Sequence, residues 1–362
     1  RIIHTECHMS FGGQEIGTVR EAKYLLKKGH DVVIVCQPGS RIAERCMKEM
    51  VPFRNVPGMR KAFLAPYTMS KALLLLLRYR PHIVHCHSAQ DHWIFGFAAR
   101  VLGIPVVRTR HNSVEPRKIW AVNFLYNRLT DRLITRGESV RKQLIEGAGC
   151  RPDRVSSIPL GVDIDEFTVS EPPERTKEKL GLAGRRIVLC VAILRTWKGH
   201  EELIRACSLL KGTYPDLALL LVGDGAEKLK LERIAEDVAM TENVLFAGFR
   251  DDIPELMSCS DVMVLASHFE GAPQVIPQAW AAGTPVISTP VGGIGEMVVD
   301  GVNGILTSPG HSEELASAIG RVLDNRDYAE NLVSGGRKSL EEGFTIEWSM
   351  QNTLDIYREL AS

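Results

Sequence analysis

The chain lacks several features that would assign it to a class outright. No two of its 8 cysteines form a C-x-x-C pair. Several, such as Cys36, Cys86 and Cys190, lie inside apolar runs. That predicts buried free thiols in a reducing compartment rather than disulfides or a zinc site. Apolar runs such as that from Ala72 to Leu77 are far too short to span a bilayer. No leader is read at the start, where a strand opens at Arg1, and a cytoplasmic protein is expected. Neither sign of charge is in excess: 44 basic and 44 acidic residues give a formal net charge of +0. This excludes a broad nucleic-acid surface but not a local basic patch. No G-x-G-x-x-G follows the first strand, which disfavours a nicotinamide-dependent dehydrogenase.

What is present is regular alternation. At 362 residues the chain is too long for one ordinary core, so two domains are expected. Its 44% hydrophobic and 24% charged content is that of a soluble globular protein. Apolar runs at 32–36, 83–85, 106–107, 187–191, 217–222, 262–266 and 286–287 are separated by helical patterns. Such alternation implies parallel sheets covered by helices on both faces. One segment recurs: Ile83–Ser88, a helix and Gly103-Ile-Pro105-Val-Val107 echo Val262–Ser267, a helix and Gly283-Thr-Pro285-Val-Ile287. Two similar α/β units, one per half, explain the echo most simply. The break falls near 163–184, where Glu171-Pro-Pro-Glu-Arg175 reads as a linker. Two doubly wound domains facing each other would place ligands in the cleft at their strand ends.

The chemistry concentrates after three of these strands. Glu270 sits in a Gly/Pro turn between the strand at 262–266 and a helix, and Gln278 lies about one turn into that helix. A helix N-terminus entered through Gly271, Ala272 and Pro273 lets backbone N–H groups approach an anion. Pro277 requires that the helix begins near 273–275. A carboxylate there accepts from neutral hydroxyls but repels a bare phosphate. Phosphate and hydroxyls at one site suggest a nucleotide sugar. Arg195 and Lys198 follow the strand at 187–191, where two cations could neutralise a diphosphate, or simply form a solvated pair. Gly12 and Gly13 follow the first strand and are either a phosphate-facing loop or a plain tight turn. His85 and His87 share one strand face, yet zinc would need further ligands, and no metal is expected. Asp163-x-Asp165 has a metal-binding form but reads as structural.

In this order and spacing, the motifs resemble a known family. Ser267-x-x-Glu270-Gly271-x-Pro273, Ala281-Ala-Gly283-Thr-Pro285, Val291-Gly-Gly-Ile294, Asp300-Gly-x-Asn-Gly304, Trp197-Lys-Gly199, Val222-Gly-Asp-Gly225 and Ile158-Pro-x-Gly161-Val-Asp163 resemble family 4 retaining glycosyltransferases of the GT-B fold. The resemblance implies an α/β chain of two Rossmann-like domains. Residues 1–165 with a returning helix at 345–362 would bind the acceptor, and 166–344 the nucleotide-sugar donor. It implies catalytic roles for His111, Arg195, Lys198 and Glu270, and donor contacts from Gly12, Gly13, Arg250, Gly271, Ala272, Pro273 and Gln278. The sequence departs from the family where Gln278 replaces a second Glu, and where Ile193 stands at the usual Arg position, for which Arg195 could substitute.

The expected partners are a nucleotide-sugar donor and a glycan or lipid-linked acceptor of envelope-glycan synthesis, with no cofactor and no nucleic acid. Trp120, Phe124, Leu125 and Tyr126 beside Arg117, Lys118 and Arg128 give either a packed helix or peripheral contact with the inner membrane surface. The rivals are a GT-B epimerase or phosphorylase, and a nucleotide-sugar-binding protein with a decayed site.

Overall fold

The computed structural model describes residues 1–9, 12–60, 65–111 and 120–361. It divides into two compact units: Arg1–Gly161 with Ile346–Ser362, and Val162–Thr345.

Unit 1 is built on seven parallel strands: β1 (Ile2–Glu6), β2 (Val32–Cys36), β3 (Phe53–Asn55), β4 (Ile83–Cys86), β5 (Val106–Arg110), β6 (Arg132–Thr135) and β7 (Val155–Ser157). They lie in the order β3-β2-β1-β4-β5-β6-β7. Unit 2 repeats the scheme with β8 (Arg186–Val191), β9 (Leu217–Val222), β10 (Val244–Gly248), β11 (Val262–Leu265), β12 (Val286–Ser288) and β13 (Ile305–Leu306), ordered β10-β9-β8-β11-β12-β13. The segment echoed in the sequence is the fourth strand, its helix and the fifth strand of each unit. In both sheets the order in which the parallel strands are added reverses once, between β1 and β4 and between β8 and β11. At such switch points, connections leaving on opposite faces open a crevice at the strand C-termini.

The local sequence explains these layers. All six residues of β9 (LALLLV) are buried, as a central strand covered on both faces requires. Leu217, Leu219 and Leu221 enter one core, while Ala218, Leu220 and Val222 enter the other. Period two therefore feeds two helix layers from one strand. Each such leucine contributes about 2 kcal/mol by leaving water. The last helix, Ile346–Ala361, belongs to unit 1. Its Ile346, Met350, Leu354 and Tyr357 pack with Ile2, Ile34, Ile83 and Val107 of the sheet, and Ser349 Oγ donates to Pro159 O at 2.8 Å.

The structure corrects the reading of the linker. Pro173–Lys179 is a helix, with proline at its first position where no N–H is needed. Asp163 accepts the Asp165 N–H at 3.1 Å and caps the short turn Ile164–Phe167. The helix Arg326–Gly343 carries Gly335 and Gly336, which weaken its periodic signal in the sequence. In the helix Trp120–Asn127, Leu125 and Tyr126 are buried and Phe124 is exposed; Arg117 and Lys118 lie outside the described residues. Among the described residues no helix is long and apolar enough to cross a membrane.

Candidate active site

In unit 2 the residues that follow β8 and β11 meet at the switch point. Lys198 ends a short turn, Thr196–Lys198, after β8, and Glu270 lies midway along the loop between β11 and the helix Val275–Ala282. The Lys198 ammonium pairs with Glu270 Oε1, and Ser267 Oγ donates to the same oxygen at 2.9 Å. The side chains are only 16% and 8% exposed, so this is a largely buried ion pair rather than a solvated one. Burial makes such a pair costly to break on one side only.

Backbone contact between the two loops holds the pair. Gly199 has φ 70°, and a Cβ there would lie 1.8 Å from Ala266 O. The His268 N–H donates to Trp197 O at 2.9 Å. On the other side, Gly292 and Gly293 press on the carbonyls of Glu270 and Gly271. Added Cβ atoms would lie 1.9 and 2.3 Å from them, and the Gly293 N–H donates to Gly271 O at 2.7 Å. These glycines are close-approach residues that seat Glu270.

The remaining residues expected to meet a donor divide. Gly271, Ala272 and Pro273 are half-buried and lead into the helix Val275–Ala282, with Gln274 in the position before its first residue. Pro277 is the third helical residue, where its missing N–H costs nothing. Gln278 follows, half-buried, its N–H donating to Gln274 O at 3.1 Å. Trp280 anchors this helix: its indole N–H donates to Asn303 O at 2.8 Å, and its ring lies where a Gly336 Cβ would sit. Arg195 is not part of the Lys198–Glu270 pair; its guanidinium lies over the Trp197 ring, 5.1 Å from the centroid. Arg250 is held bidentately by Asp252, at 2.8 and 2.5 Å. Gly223-Asp-Gly225 is structural: added Cβ atoms at Gly223 and Gly225 would each lie 2.1 Å from the carbonyls of Ala192 and Leu194.

In unit 1 the corresponding loop after β1 is also polar. Gly12 precedes the helix Gly13–Lys27, and its N–H donates to Glu15 Oε2 at 2.8 Å, while Gly13 stays open. Ser10 and Phe11 lie outside the described residues. The fully buried Glu6 accepts from the His8 N–H at 3.0 Å, from Ser88 Oγ at 2.5 Å and from Gln14 Nε2. Beside it, Asp91 shares bonds with Thr5 Oγ1 (2.8 Å) and the Ser88 N–H (3.0 Å). Burial, then repulsion from Glu6, push its carboxyl up to about 8. Glu6 carries no sequence signal beyond its position at a strand end, and Asp91 lies in the short helix Ala89–Asp91 after β4.

His111 follows β5 and is half-buried. Its Nε2 lies 3.0 Å from His87 Nδ1, and His87 Nε2 lies 2.8 Å from His4 Nδ1. His85 stacks on His87 at 4.3 Å between centroids and is bound by Tyr357 OH (2.5 Å) and Thr109 Oγ1 (2.6 Å). His4, Glu21, His85 and His87 would each bring one ligand atom to within 4.8 Å of the others. Both ring nitrogens of His85 and of His87 already have hydrogen-bond partners, and Glu21 is paired with Arg136.

This cluster predicts a pH dependence of stability. Burial, reinforced by Arg136, lowers His4 to about 3. Burial also holds His85, His87, His92 and His111 well below 6.5, with Arg136 or Arg108 adding to it. Below pH 6.5 the unfolded chain binds protons on these rings that the folded chain refuses, so stability falls as pH falls. Each ring contributes about 1.4 kcal/mol per pH unit in that window. Asp91 opposes this, because its raised folded pKa favours the folded state as pH falls through about 8. Glu15, also raised by burial and then by Glu6, opposes it as well, but five rings outweigh two acids, so urea midpoints should drop steeply from pH 6.5 to 5. A flat profile would contradict the neutral, buried assignment.

With this geometry in place, comparison with known proteins identifies the chain's relatives. Residues 173–339 match the family described as glycosyl transferases group 1, and residues 11–166 match glycosyltransferase family 4. The putative glycosyltransferase EpsD of Bacillus subtilis is 29% identical over 92% of this chain and 91% of its own. The UDP-Gal:alpha-D-GlcNAc-diphosphoundecaprenol alpha-1,3-galactosyltransferase of Escherichia coli is 26% identical over 99% of this chain and 97% of its own. The crystal structure of Anabaena Alr3699/HepE in complex with UDP shares the fold, with a TM-score of 0.87 and 23% identity over 99% of this chain and 100% of the other. Two matched halves on two doubly wound parallel sheets place the chain in one family: it belongs to the group 1, family 4 glycosyltransferases of the GT-B fold.

Proposed function

We propose that this glycosyltransferase moves a sugar, with retention, from a nucleotide-diphosphate sugar held on unit 2 to a glycan or lipid-linked acceptor bound by unit 1 in envelope-glycan synthesis. The observation that carries the reading is the Lys198–Glu270 pair at the β8/β11 switch point. A cation and a carboxylate fixed side by side suit a ligand that presents an anion next to hydroxyls. Lys198 would meet the diphosphate, Glu270 the sugar hydroxyls and Gln278 the ribose. Gly271, Ala272 and Pro273 would bring N–H groups close to phosphate. Arg195, Arg250, Gly12 and Gly13 are secondary contacts in this reading, and His111 is the unit 1 group that meets the sugar. The E. coli relative, named for transfer from UDP-Gal to a diphosphoundecaprenol acceptor, supports this substrate class.

In the reaction, the bond from the anomeric carbon to the phosphate oxygen breaks as the acceptor oxygen bonds to that carbon on the same face. The acceptor proton passes to the departing phosphate oxygen. The protein supplies orientation and charge, with Lys198 rather than a metal or cofactor meeting the growing negative charge.

The test is product capture: UDP-, GDP- and ADP-sugars are offered with lipid-linked acceptors in anionic phospholipid vesicles. A glycan product with the donor's anomeric configuration is expected. Free epimer or sugar phosphate would instead select the epimerase or phosphorylase. Exposed Trp93, Phe97 and Phe124, the first and last stacked at 6.1 Å, support peripheral binding at the cytoplasmic membrane face. Failure of the protein to sediment with those vesicles would remove that part of the proposal. Gln278→Glu should lower the donor KM about fivefold with kcat nearly unchanged, because a charged acceptor strengthens a hydroxyl bond by about 1 kcal/mol. A KM that does not move would take Gln278 out of the donor site.

A further inference from the structure

We propose that His4 and His87 are positioning residues for His111: a chain anchored on a carboxylate, Glu21–His4–His87–His111, fixes His111 as the tautomer with a bare Nδ1. This rests on the reading of His111 as a sugar contact and states what the contact is, an acceptor for one sugar hydroxyl.

Strand register builds the chain. β1 and β4 pair His4 with His85. Two residues on, His87 occupies the same face, and its N–H donates to Thr5 O at 3.1 Å. Thr109 and His111 alternate likewise after Val107 in β5, and Arg136 follows Ile134 of β6. All lie on the side packed with the helices Gly13–Lys27 and Ile346–Ala361, whose Val19, Ala22, Met350 and Leu354 share a core with Ile2, Ile83, Val107 and Ile134. A polar stripe thus crosses the C-terminal half of an otherwise apolar face. Glu21 reaches it from the helix Gly13–Lys27, with its Oε1 held by Arg136.

The direction of the chain follows from proton counting. A neutral imidazole has one N–H, so two successive ring-to-ring bonds must run the same way. Burial keeps these rings neutral. If the chain ran outward from His4, a bare His4 Nε2 would be left buried with no donor, in the same cluster as the Glu21 carboxylate. If it runs inward, His4 Nε2 carries the hydrogen. Among the described residues, His4 Nε2 and Glu21 Oε2 are both buried without a hydrogen-bond partner, and the two residues bring ligand atoms within 4.8 Å. With a buried carboxylate in the same cluster, a ring N–H is favoured over a bare lone pair. His4 Nδ1 therefore accepts from His87 Nε2–H, and His87 Nδ1 accepts from His111 Nε2–H. His111 Nδ1 is left as a lone pair, with no partner among the described residues, because the hydrogen bond at one ring nitrogen sets the role of the other.

Nitrogen NMR of the protein labelled with ¹⁵N-histidine, at pH 7.5, reads the tautomer without any reaction. His111 should show a protonated Nε2 and a bare Nδ1 in the wild type. The opposite tautomer, or an even mixture, would overturn the chain. In His87→Phe the preference should be lost, and kcat should fall about 10- to 100-fold with donor KM changed less than about threefold. In His87→Gln, the side-chain carbonyl can still accept from His111, so the tautomer and part of the turnover should return. If His87→Phe does not fold, the wild-type and His87→Gln spectra decide. His111→Ala separates the two layers. Normal transfer by that variant, with the expected wild-type tautomer, would remove the sugar contact and leave the chain intact. Impaired transfer with the opposite tautomer would do the reverse.

Discussion

Lys198→Ala is expected to bring turnover down about 10³-fold, the scale seen when a preorganised charge aimed at a transition state is removed. The loss should appear in kcat more than in donor KM, because the negative charge on the diphosphate oxygen grows as the glycosidic bond breaks. The same change strands Glu270, which among the described residues keeps only Ser267 as a side-chain partner and is 7% exposed. Removing one member of a buried pair costs about 3 kcal/mol, so the single variant loses stability as well. Lys198→Ala with Glu270→Gln separates the two effects. Stability, read as the urea midpoint, should largely return, because a neutral amide no longer needs the ammonium. Turnover should not. Recovery of both would make the pair a structural bridge and nothing more.

Gly199→Ala should be nearly as damaging, by a different route. Its φ of 70° costs an L-residue about 1 kcal/mol, and its Cβ would lie 1.8 Å from Ala266 O, a backbone atom that cannot step aside. Separating the loops adds about 1–3 kcal/mol of overpacking strain. It also moves Lys198 away from Glu270, and displacement of about 1 Å costs roughly 10²-fold in rate. Gly184 is the control: its φ is 69°, but nothing lies within 4 Å of an added Cβ. Gly184→Ala should lose about 1 kcal/mol and no activity. Thermal melts and initial rates on both variants check this, and equal effects would show that backbone conformation alone explains Gly199.

How much of this was readable in the chain follows from what each feature depends on. Glu270 and Lys198 were legible because each follows a continuous apolar strand, and strand ends at a switch point are where polar residues meet. Their contact was not, since it joins positions 72 residues apart. Gly199, Gly292 and Gly293 read as motif letters; only the structure shows the carbonyls they make room for. His85 and His87 were placed on one face by period two. His4 gave no signal, because its partnership depends on the register between β1 and β4. Arg250 was read as a donor contact by resemblance; in the structure Asp252, two residues on, takes both arms of its guanidinium. The run at 171–175 read as a linker because proline and charge dominate it, but a proline at a helix's first position is also a start signal.

The central claim is that unit 2 holds a nucleotide-diphosphate sugar at the Lys198–Glu270 pair. Calorimetric titration of UDP-, GDP- and ADP-sugars into the wild type and into Lys198→Ala tests it most directly. The account predicts saturable binding of sugars on one base, with affinity in Lys198→Ala weakened at least about tenfold through the lost charge-assisted contact. Absence of binding by every donor in the panel, or equal affinity in the two proteins, would contradict it.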